Sequence, residues 1–366
     1  MSVPTASVVM SVFNGAQFLR EALDSILNQT FRDLEFIVVD DGSTDATAQI
    51  LDEYQRRDPR MRVLHQENQG LITSLNRGAD LARGKYIVRM DADDVALPHR
   101  LAWQVDALEK NADLAVLGGA IEIIDANGAK IKTHRFPARH DEIRSDLLRG
   151  GFSISHPAAA IRTQALRSVG GYRKAFVGAE DYDLWLRLAE RFELANLETV
   201  VLKYRQHSHQ VSVQKLKQQA LSHLAAQASA IARDKGMPEP AALGGAELEP
   251  AVLEALGIEK DTQQAIVVDR YLLWIRNFWD SGERETAFEI IDILLNSPEW
   301  KNAERRFVAD YNLLWARIHW QQGDYAKSTA ALARALRMHP RMLGRPLKHL
   351  ARRVLSWRRS PRQPLY

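Results

Sequence analysis

The 366-residue chain contains no cysteine, so disulfides, thiolate nucleophiles and Cys-ligated zinc are excluded, and any metal must sit on oxygen or histidine. No stretch approaches the ~18 to 20 uninterrupted apolar residues of a membrane span, and the amino terminus lacks a basic-then-apolar leader. The expectation is a protein that works in the cytosol. No Gly-x-Gly-x-x-Gly follows the first predicted strand and no Gly-Lys-Ser or Gly-Lys-Thr occurs, so dinucleotide and P-loop readings lose their main support. Acids are also missing from one region: none follows Asp324, while basic residues continue from Lys327 to Arg362. The net charge is only +3, so this asymmetry is a local feature of the carboxyl terminus.

What is present reads as globular, with 46% hydrophobic and 26% charged residues, and the length suits two domains or one large domain with an appendage. Over the first 125 residues, β-branched runs alternate with helical patterns, as in a mostly parallel sheet flanked by helices. Predicted strands cover residues 7–12, 34–39, 61–65, 85–91, 114–124, 158–162 and 200–204. Helices follow Asn14-Gly15, where Phe18, Ala22, Ser25, Ile26 and Gln29 recur at helical spacing, and also cover 71–81, 180–189 and 214–232.

Asp91-Ala92-Asp93-Asp94 ends the strand Lys85-Tyr86-Ile87-Val88-Arg89-Met90. Acids at i and i+2 share one face, and the carboxyl end of a strand in an open α/β sheet meets ligand rather than core. Mg²⁺-like ions take one or two protein carboxylates and fill their remaining positions with water and substrate phosphate. The cluster therefore suggests a metal shared with a phosphorylated substrate. The competing reading is a loop in which Asp94 caps a helix opened by Pro98. Asp40-Asp41-Gly42-Ser43 ends the second strand, where a carboxylate suits a nucleobase N–H or ribose hydroxyls; the alternative is an Asp-Gly turn with Ser43 or Thr44 as helix cap.

Taken in order, Val8 to Gly15, Ser25 to Thr30, Val38 to Asp45, Met90 to Asp94, His156-Pro157, Gly170-Gly171-Tyr172-Arg173 and Glu180 to Trp185 resemble the successive blocks of family 2 glycosyltransferases with the GT-A fold. The similarity covers roughly residues 5 to 212. It implies inverting transfer of a sugar from a nucleotide-diphosphate donor, most often a UDP-sugar, to a hydroxyl of a glycan or lipid-linked acceptor, as in cell-surface polysaccharide synthesis. The implied nucleotide-binding residues are Ser11, Phe13, Asn14, Asp40, Asp41, Asn68 and Asp91. The implied ligands of Mn²⁺ or Mg²⁺ are Asp93 and Asp91, with His207 where relatives often close over the diphosphate or metal. Asp181, beside Glu180, takes the place of the catalytic base, and helix-terminus stabilisation is the plainer account of Asp183. Arg89 either neutralises phosphate or faces the other side of its strand. One departure stands out: many members carry Ala-Arg-Asn where this chain has Ser74-Leu75-Asn76, with Arg77 next door. The Gln-x-x-Arg-Trp motif of processive relatives is absent, which favours one addition per encounter.

Residues 1–212 thus form the expected catalytic domain, followed by a helical connector and linker over 213–260, an all-α region over 261–340 and a basic amphipathic tail over 341–366. Within the all-α region, Asp269, Leu272-Leu273-Trp274, Arg276, Trp279 and Gly282 recur as Asp310, Leu313-Leu314-Trp315, Arg317, Trp320 and Gly323, a pair of tetratricopeptide-like helical hairpins with their Trp and Leu in the core. They offer a route to a protein partner or self-association. In the tail, Leu350, Val354 and Trp357 interleave with Arg352, Arg353 and Arg358, which suits an anionic membrane surface and a peripheral location at the membrane's inner face. No base-reading module accompanies the charge, so nucleic acid is not expected as a partner. The rival functions are a nucleotidyltransferase and a catalytically idle sugar-nucleotide scaffold acting through the helical repeats.

Overall fold

A computed structural model describes residues 3–207, 215–237 and 250–339. Residues 238–249 of the expected connector and linker, and the basic tail, lie outside the described residues. The chain divides into two compact units, between Lys260 and Asp261.

The first unit begins β1 (Ala6–Val12), α1 (Ala16–Leu27), β2 (Leu34–Asp40), α2 (Thr47–Arg57), β3 (Met61–His65), α3 (Leu71–Leu81) and β4 (Tyr86–Met90). It continues β5 (Val95–Ala96), α4 (Arg100–Lys110), β6 (Leu114–Ile124), β7 (Lys130–His134), α5 (His140–Leu148), β8 (Ala160–Arg162) and α6 (Thr163–Ser168). It closes with α7 (Glu180–Ala189), β9 (Glu193–Arg205), α8 (Leu216–Asp234) and α9 (Pro250–Ala255). The strands form one sheet in the order β3-β2-β1-β4-β8-β6-β9-β5, with β7 paired to β6. The 3-2-1-4 portion is parallel, as expected for β-branched runs buried on both faces. Alternate residues feed two cores: Val8, Met10, Tyr86 and Val88 pack with α1, α2 and α4, while Val9, Ile37 and Ile87 pack with α3, α6 and α7.

The sheet is less uniformly parallel than its first half, because β8 runs antiparallel to both β4 and β6, and β5 antiparallel to β9. The strand expected at 158–162 starts only at Ala160, since Pro157 lacks an N–H for a ladder and sits in a 3-10 turn over His156–Ala158. Asp94 does not cap α4; the short strand β5 intervenes, and His99 precedes the helix without a side-chain cap. Ser43 and Thr44 do not cap α2 either.

Ser25 of α1 and Gln29, two residues past its end, tie the helix to the segment after the acid cluster. The Ala96 N–H donates to Ser25 Oγ at 3.1 Å, Gln29 Nε2 donates to the Leu97 carbonyl at 2.7 Å, and the Leu101 N–H donates to Gln29 Oε1 at 3.1 Å. Buried side-chain amides that bond backbone on both sides fix a loop without regular structure. The loop bearing Asp91 to Asp94 is thereby anchored at its exit.

The second unit contains α10 (Lys260–Ser281), α11 (Arg284–Asn296), α12 (Pro298–Lys301), α13 (Arg305–Gln321) and α14 (Tyr325–Met338). The two hairpins pack on each other: Trp279 Nε1 donates to Gln321, and the Phe288 ring meets Trp279 and Trp315 edge-on at 5.9 and 6.0 Å. Their sequence repeat is not matched by equal burial. Trp279 is in the core, whereas its counterpart Trp320 is 58% exposed, so the second tryptophan is not a core residue.

Candidate active site

β1 lies between β2 and β4, so the order of connections reverses beside it, and the loops leaving these three strands meet at their carboxyl ends. Asn14 adopts a left-handed conformation, with φ of 51°. Its N–H donates to Ser43 Oγ at 2.9 Å, and its Oδ1 accepts from the Thr44 N–H at 2.8 Å. The Gly15 and Ala16 N–H groups at the start of α1 donate to Thr47 Oγ1 and Asp45 Oδ2. That helix terminus is satisfied by α2's own loop and is no open phosphate cradle.

Asp40 and Asp41 are both buried and both organise loops. Asp40 accepts from the Ser43 N–H at 3.1 Å and pairs with His65 Nδ1 at 2.8 Å. Asp41 Oδ1 accepts from Gln66 Nε2 and the Gln69 N–H, at 2.7 and 2.9 Å, and its Oδ2 accepts from the Gly70 N–H at 2.9 Å. The loop so held carries Asn68, whose side chain is exposed. It passes closely over Gly42, where a Cβ would stand 2.7 Å from the Asn68 nitrogen and φ is +78°. Phe13 presents a half-exposed ring at the mouth of these loops, and Ser11 is half-buried at the end of β1. Leu75 is buried core, while Arg77 donates to Gln66 Oε1 at 2.8 Å and so reaches the Asp41 network through that glutamine.

At the end of β4, candidate ligand oxygens of Asp91, Asp93 and Asp94 lie within 4.8 Å of one another. His207 Nε2 stands 3.0 Å from Asp93 Oδ2, which brings the end of β9 to the cluster. Burial, then the neighbouring charges of Asp93 and Asp91, pushes the Asp94 carboxyl well above its ordinary range. Asp94 Oδ1 accepts from the Arg205 N–H, but its Oδ2 is buried without a hydrogen-bond partner. A buried, unsatisfied carboxylate oxygen among like charges is what a cation relieves, so the donor set fits a hard divalent ion with one imidazole. Asp94 was missed as a third member because the Asp-x-x-x-Pro spacing read as a cap.

Arg89 continues the row of Ile87 on the face that α7 covers, is 4% exposed and forms an ion pair with Asp91. It lies beneath the cluster rather than open to a phosphate. Burial pushes the Asp91, Glu180 and Asp181 carboxyls up, and the Arg89 charge pulls each of them back. A second buried guanidinium, Arg100, donates to the Arg89 carbonyl at 2.8 Å; burial holds it down to about 9, with the Asp94 charge opposing.

Glu180 and Asp181 open α7. The Gly178 N–H donates to Glu180 Oε2 at 2.8 Å, and the Tyr182 N–H donates to Asp181 Oδ1 at 2.7 Å. Burial and then the Asp181 charge raise Glu180 to about 7, so desolvation outweighs the helix terminus that would hold these acids ionised. Trp185, one turn on, is buried edge-on to His156 at 6.0 Å. His156 Nε2 is 2.8 Å from the Tyr172 hydroxyl, and the charges of Asp181, Glu180 and Asp91 all bear on Tyr172. The charges of both acid groups therefore meet on the same buried Arg89 and Tyr172. Asp183 is different: it pairs with Arg173 and with Arg187, the latter at 2.8 Å, and is structural.

Residues 7–170 match the family model described as glycosyl transferase family 2. An uncharacterised glycosyltransferase of Methanocaldococcus jannaschii is 34% identical over 227 residues, 60% of this chain and 77% of the relative. The O-antigen biosynthesis glycosyltransferase WbnJ of Escherichia coli is 34% identical over 206 residues, 55% and 80% of the two chains. The chain belongs to glycosyltransferase family 2.

Solved structures agree on the fold. TarS of S. aureus in complex with UDP-GlcNAc has a TM-score of 0.51 at 19% identity, over 90% of each chain. The mannosyltransferase PcManGT of Pyrobaculum calidifontis, in complex with GDP-Man and Mn²⁺, has a TM-score of 0.51 at 18% identity, over 92% of this chain and 88% of its own. At such identities the likeness is one of architecture, which is the GT-A fold followed by helices. It is the family match, rather than the shared architecture, that favours a glycosyltransferase over the nucleotidyltransferase alternative.

Proposed function

We propose that the chain transfers a sugar from a nucleotide-diphosphate donor, most often a UDP-sugar, to a hydroxyl of a glycan or lipid-linked acceptor, with inversion and one addition per encounter. The observation that carries this reading is that the Asp91, Asp93, Asp94 and His207 group and the Glu180–Asp181 pair bear on the same buried Arg89 and Tyr172. In this reading Asp40, Asp41, Asn68 and the loop from Ser11 to Asn14 receive the nucleoside, with the exposed Phe13 ring available to stack on it. Asp41 Oδ2 accepts a single bond within the chain, which leaves a lone pair for a base or ribose donor.

A divalent ion such as Mn²⁺ or Mg²⁺, held by Asp93 and Asp91 with Asp94 and His207, would act as a Lewis acid that offsets charge on the departing diphosphate. The Asp181 carboxylate takes the proton of the acceptor hydroxyl as its oxygen bonds to the anomeric carbon. The bond from that carbon to the diphosphate oxygen breaks in the same displacement, and its electron pair leaves with the nucleoside diphosphate. Glu180, protonated up to about pH 7, limits repulsion beside the base.

The O-antigen relative supports a role in cell-surface polysaccharide synthesis. Among the described residues no helix is long and apolar enough to cross a membrane. The basic tail is then the proposed contact with an anionic membrane surface, and the hairpins the proposed contact with other proteins. Incubation with a panel of UDP-, GDP- and dTDP-sugars, followed by nucleotide release, tests the reading. One class should be hydrolysed, with release lost on adding EDTA and restored by Mn²⁺. Turnover of none, with the folded chain, favours the idle scaffold instead.

A further inference from the structure

Arg205, the last residue of β9, is 2% exposed and grips the acid cluster from behind. Its N–H donates to Asp94 Oδ1 at 2.8 Å, and its Nε donates to the Asp93 carbonyl, also at 2.8 Å. The far end of the guanidinium pairs with Glu21 of α1 and donates to the Asp125 and Ala126 carbonyls at 3.4 and 3.2 Å. Its carbon lies 4.6 Å from the centroid of the Phe18 ring. The same ring lies 4.9 Å from that of His207, whose Nε2 is 3.0 Å from Asp93 Oδ2.

Resting on the metal-dependent reading above, we propose that Arg205 and Phe18 are positioning residues for the metal centre. Arg205 fixes the Asp93–Asp94 segment, and Phe18 holds the His207 imidazole on the same cation. The planar fork of arginine is essential to the first task, because it must serve a carbonyl of the acid loop, a carboxylate on α1 and two hairpin carbonyls at once. A lysine keeps the charge and loses the fork. The second task needs only the flat ring, since a half-buried leucine fills similar space without defining the tilt of an imidazole against it.

The two tasks leave different marks on metal binding. Oxygen ligands suit Mg²⁺, whereas an imidazole nitrogen favours later transition ions such as Co²⁺. Partners that orient metal ligands typically contribute about 10- to 100-fold in affinity. Arg205→Lys should therefore weaken Co²⁺ and Mg²⁺ together, by about tenfold or more. Phe18→Leu should leave Mg²⁺ binding close to that of the unmodified chain and lower the Co²⁺ preference to that of His207→Ala.

Calorimetric titration of CoCl₂ and of MgCl₂ into the full chain measures this without any donor sugar, and thermal melting reports which variants fold. A folded Phe18→Leu chain with an unchanged Co²⁺-to-Mg²⁺ ratio overturns the proposal, as does a His207→Ala chain with that ratio unchanged. Unchanged binding of both ions by a folded Arg205→Lys chain overturns the Arg205 part; if that chain does not fold, Glu21→Gln, which removes the half-exposed carboxylate holding the far end of the guanidinium, takes its place with the same overturning result. Identical metal binding by the unmodified chain and Asp93→Ala would instead sink the metal reading on which the proposal rests, a separate outcome.

Discussion

Asp93→Ala should abolish metal-dependent donor turnover, lowering it by about 10³-fold or more, equivalent to ~4 kcal/mol of lost transition-state stabilisation. Asp93 is the member of the cluster that meets His207, and its ligand oxygen lies within 4.8 Å of those of both Asp91 and Asp94. Removing it takes from the centre one carboxylate and the contact that His207 makes with it. The same substitution relieves repulsion on Asp94, whose carboxyl is raised by burial first and by the Asp93 charge next. The folded chain should therefore be no less stable, so that a loss of turnover is a loss of chemistry. Nucleotide release measured with added Mn²⁺, with a thermal melt beside it, checks both parts. Turnover that is unaffected by the substitution would move the metal elsewhere.

Asp181→Asn should spare donor binding and lower transfer by about 10² to 10⁴, the range that one positioned base contributes. Asparagine keeps the shape and still accepts the Tyr182 N–H bond seen at Asp181 Oδ1. It cannot take a proton. The pH profile carries the same signature. Burial raises Asp181 above the ordinary aspartate range, and burial with the Asp181 charge raises Glu180 to about 7. The base works as an anion, so transfer is present above the raised Asp181 value and falls as pH drops through it, earlier than an unperturbed aspartate would dictate. The residual activity of Asp181→Asn should lack that acid limb. Comparing nucleotide affinity with acceptor-dependent transfer over pH 5 to 9 reads both effects, and near-normal transfer would assign the base to another residue.

The β-α alternation up to Asp91 was legible because β1, β2 and β4 are buried on both faces and read as largely apolar runs. The acid clusters were legible for the same reason, as the first charges after those runs. β8 was not: three strand residues after a proline turn carry no period, and their antiparallel pairing with β4 and β6 is a tertiary choice. Nor was the role of Arg205, whose partners Asp93, Asp94 and Glu21 lie more than a hundred residues away in sequence. One local signal existed. Arg205 ends β9 and His207 follows two residues later, and both meet the Phe18 ring, so the histidine read as a metal ligand also points to its proposed support.

Asp40 and Asp41 show a subtler limit. Spacing put them at the carboxyl end of the second strand, where the fold places them, yet most of their hydrogen bonds hold the chain's own loops. The loop-holding bonds therefore do not exclude the proposed binding role, because a carboxylate has more lone pairs than the turn uses.

The configuration of the glycosidic product tests the central claim most directly. A single displacement, with Asp181 activating the acceptor on the face opposite the leaving diphosphate, requires that an α-linked nucleotide sugar give a β-linked product. Proton NMR of the newly formed anomeric centre, taken early in the reaction, should show that inversion. An α-linked product would require a covalent intermediate or front-face attack, and would contradict the role given to Asp181.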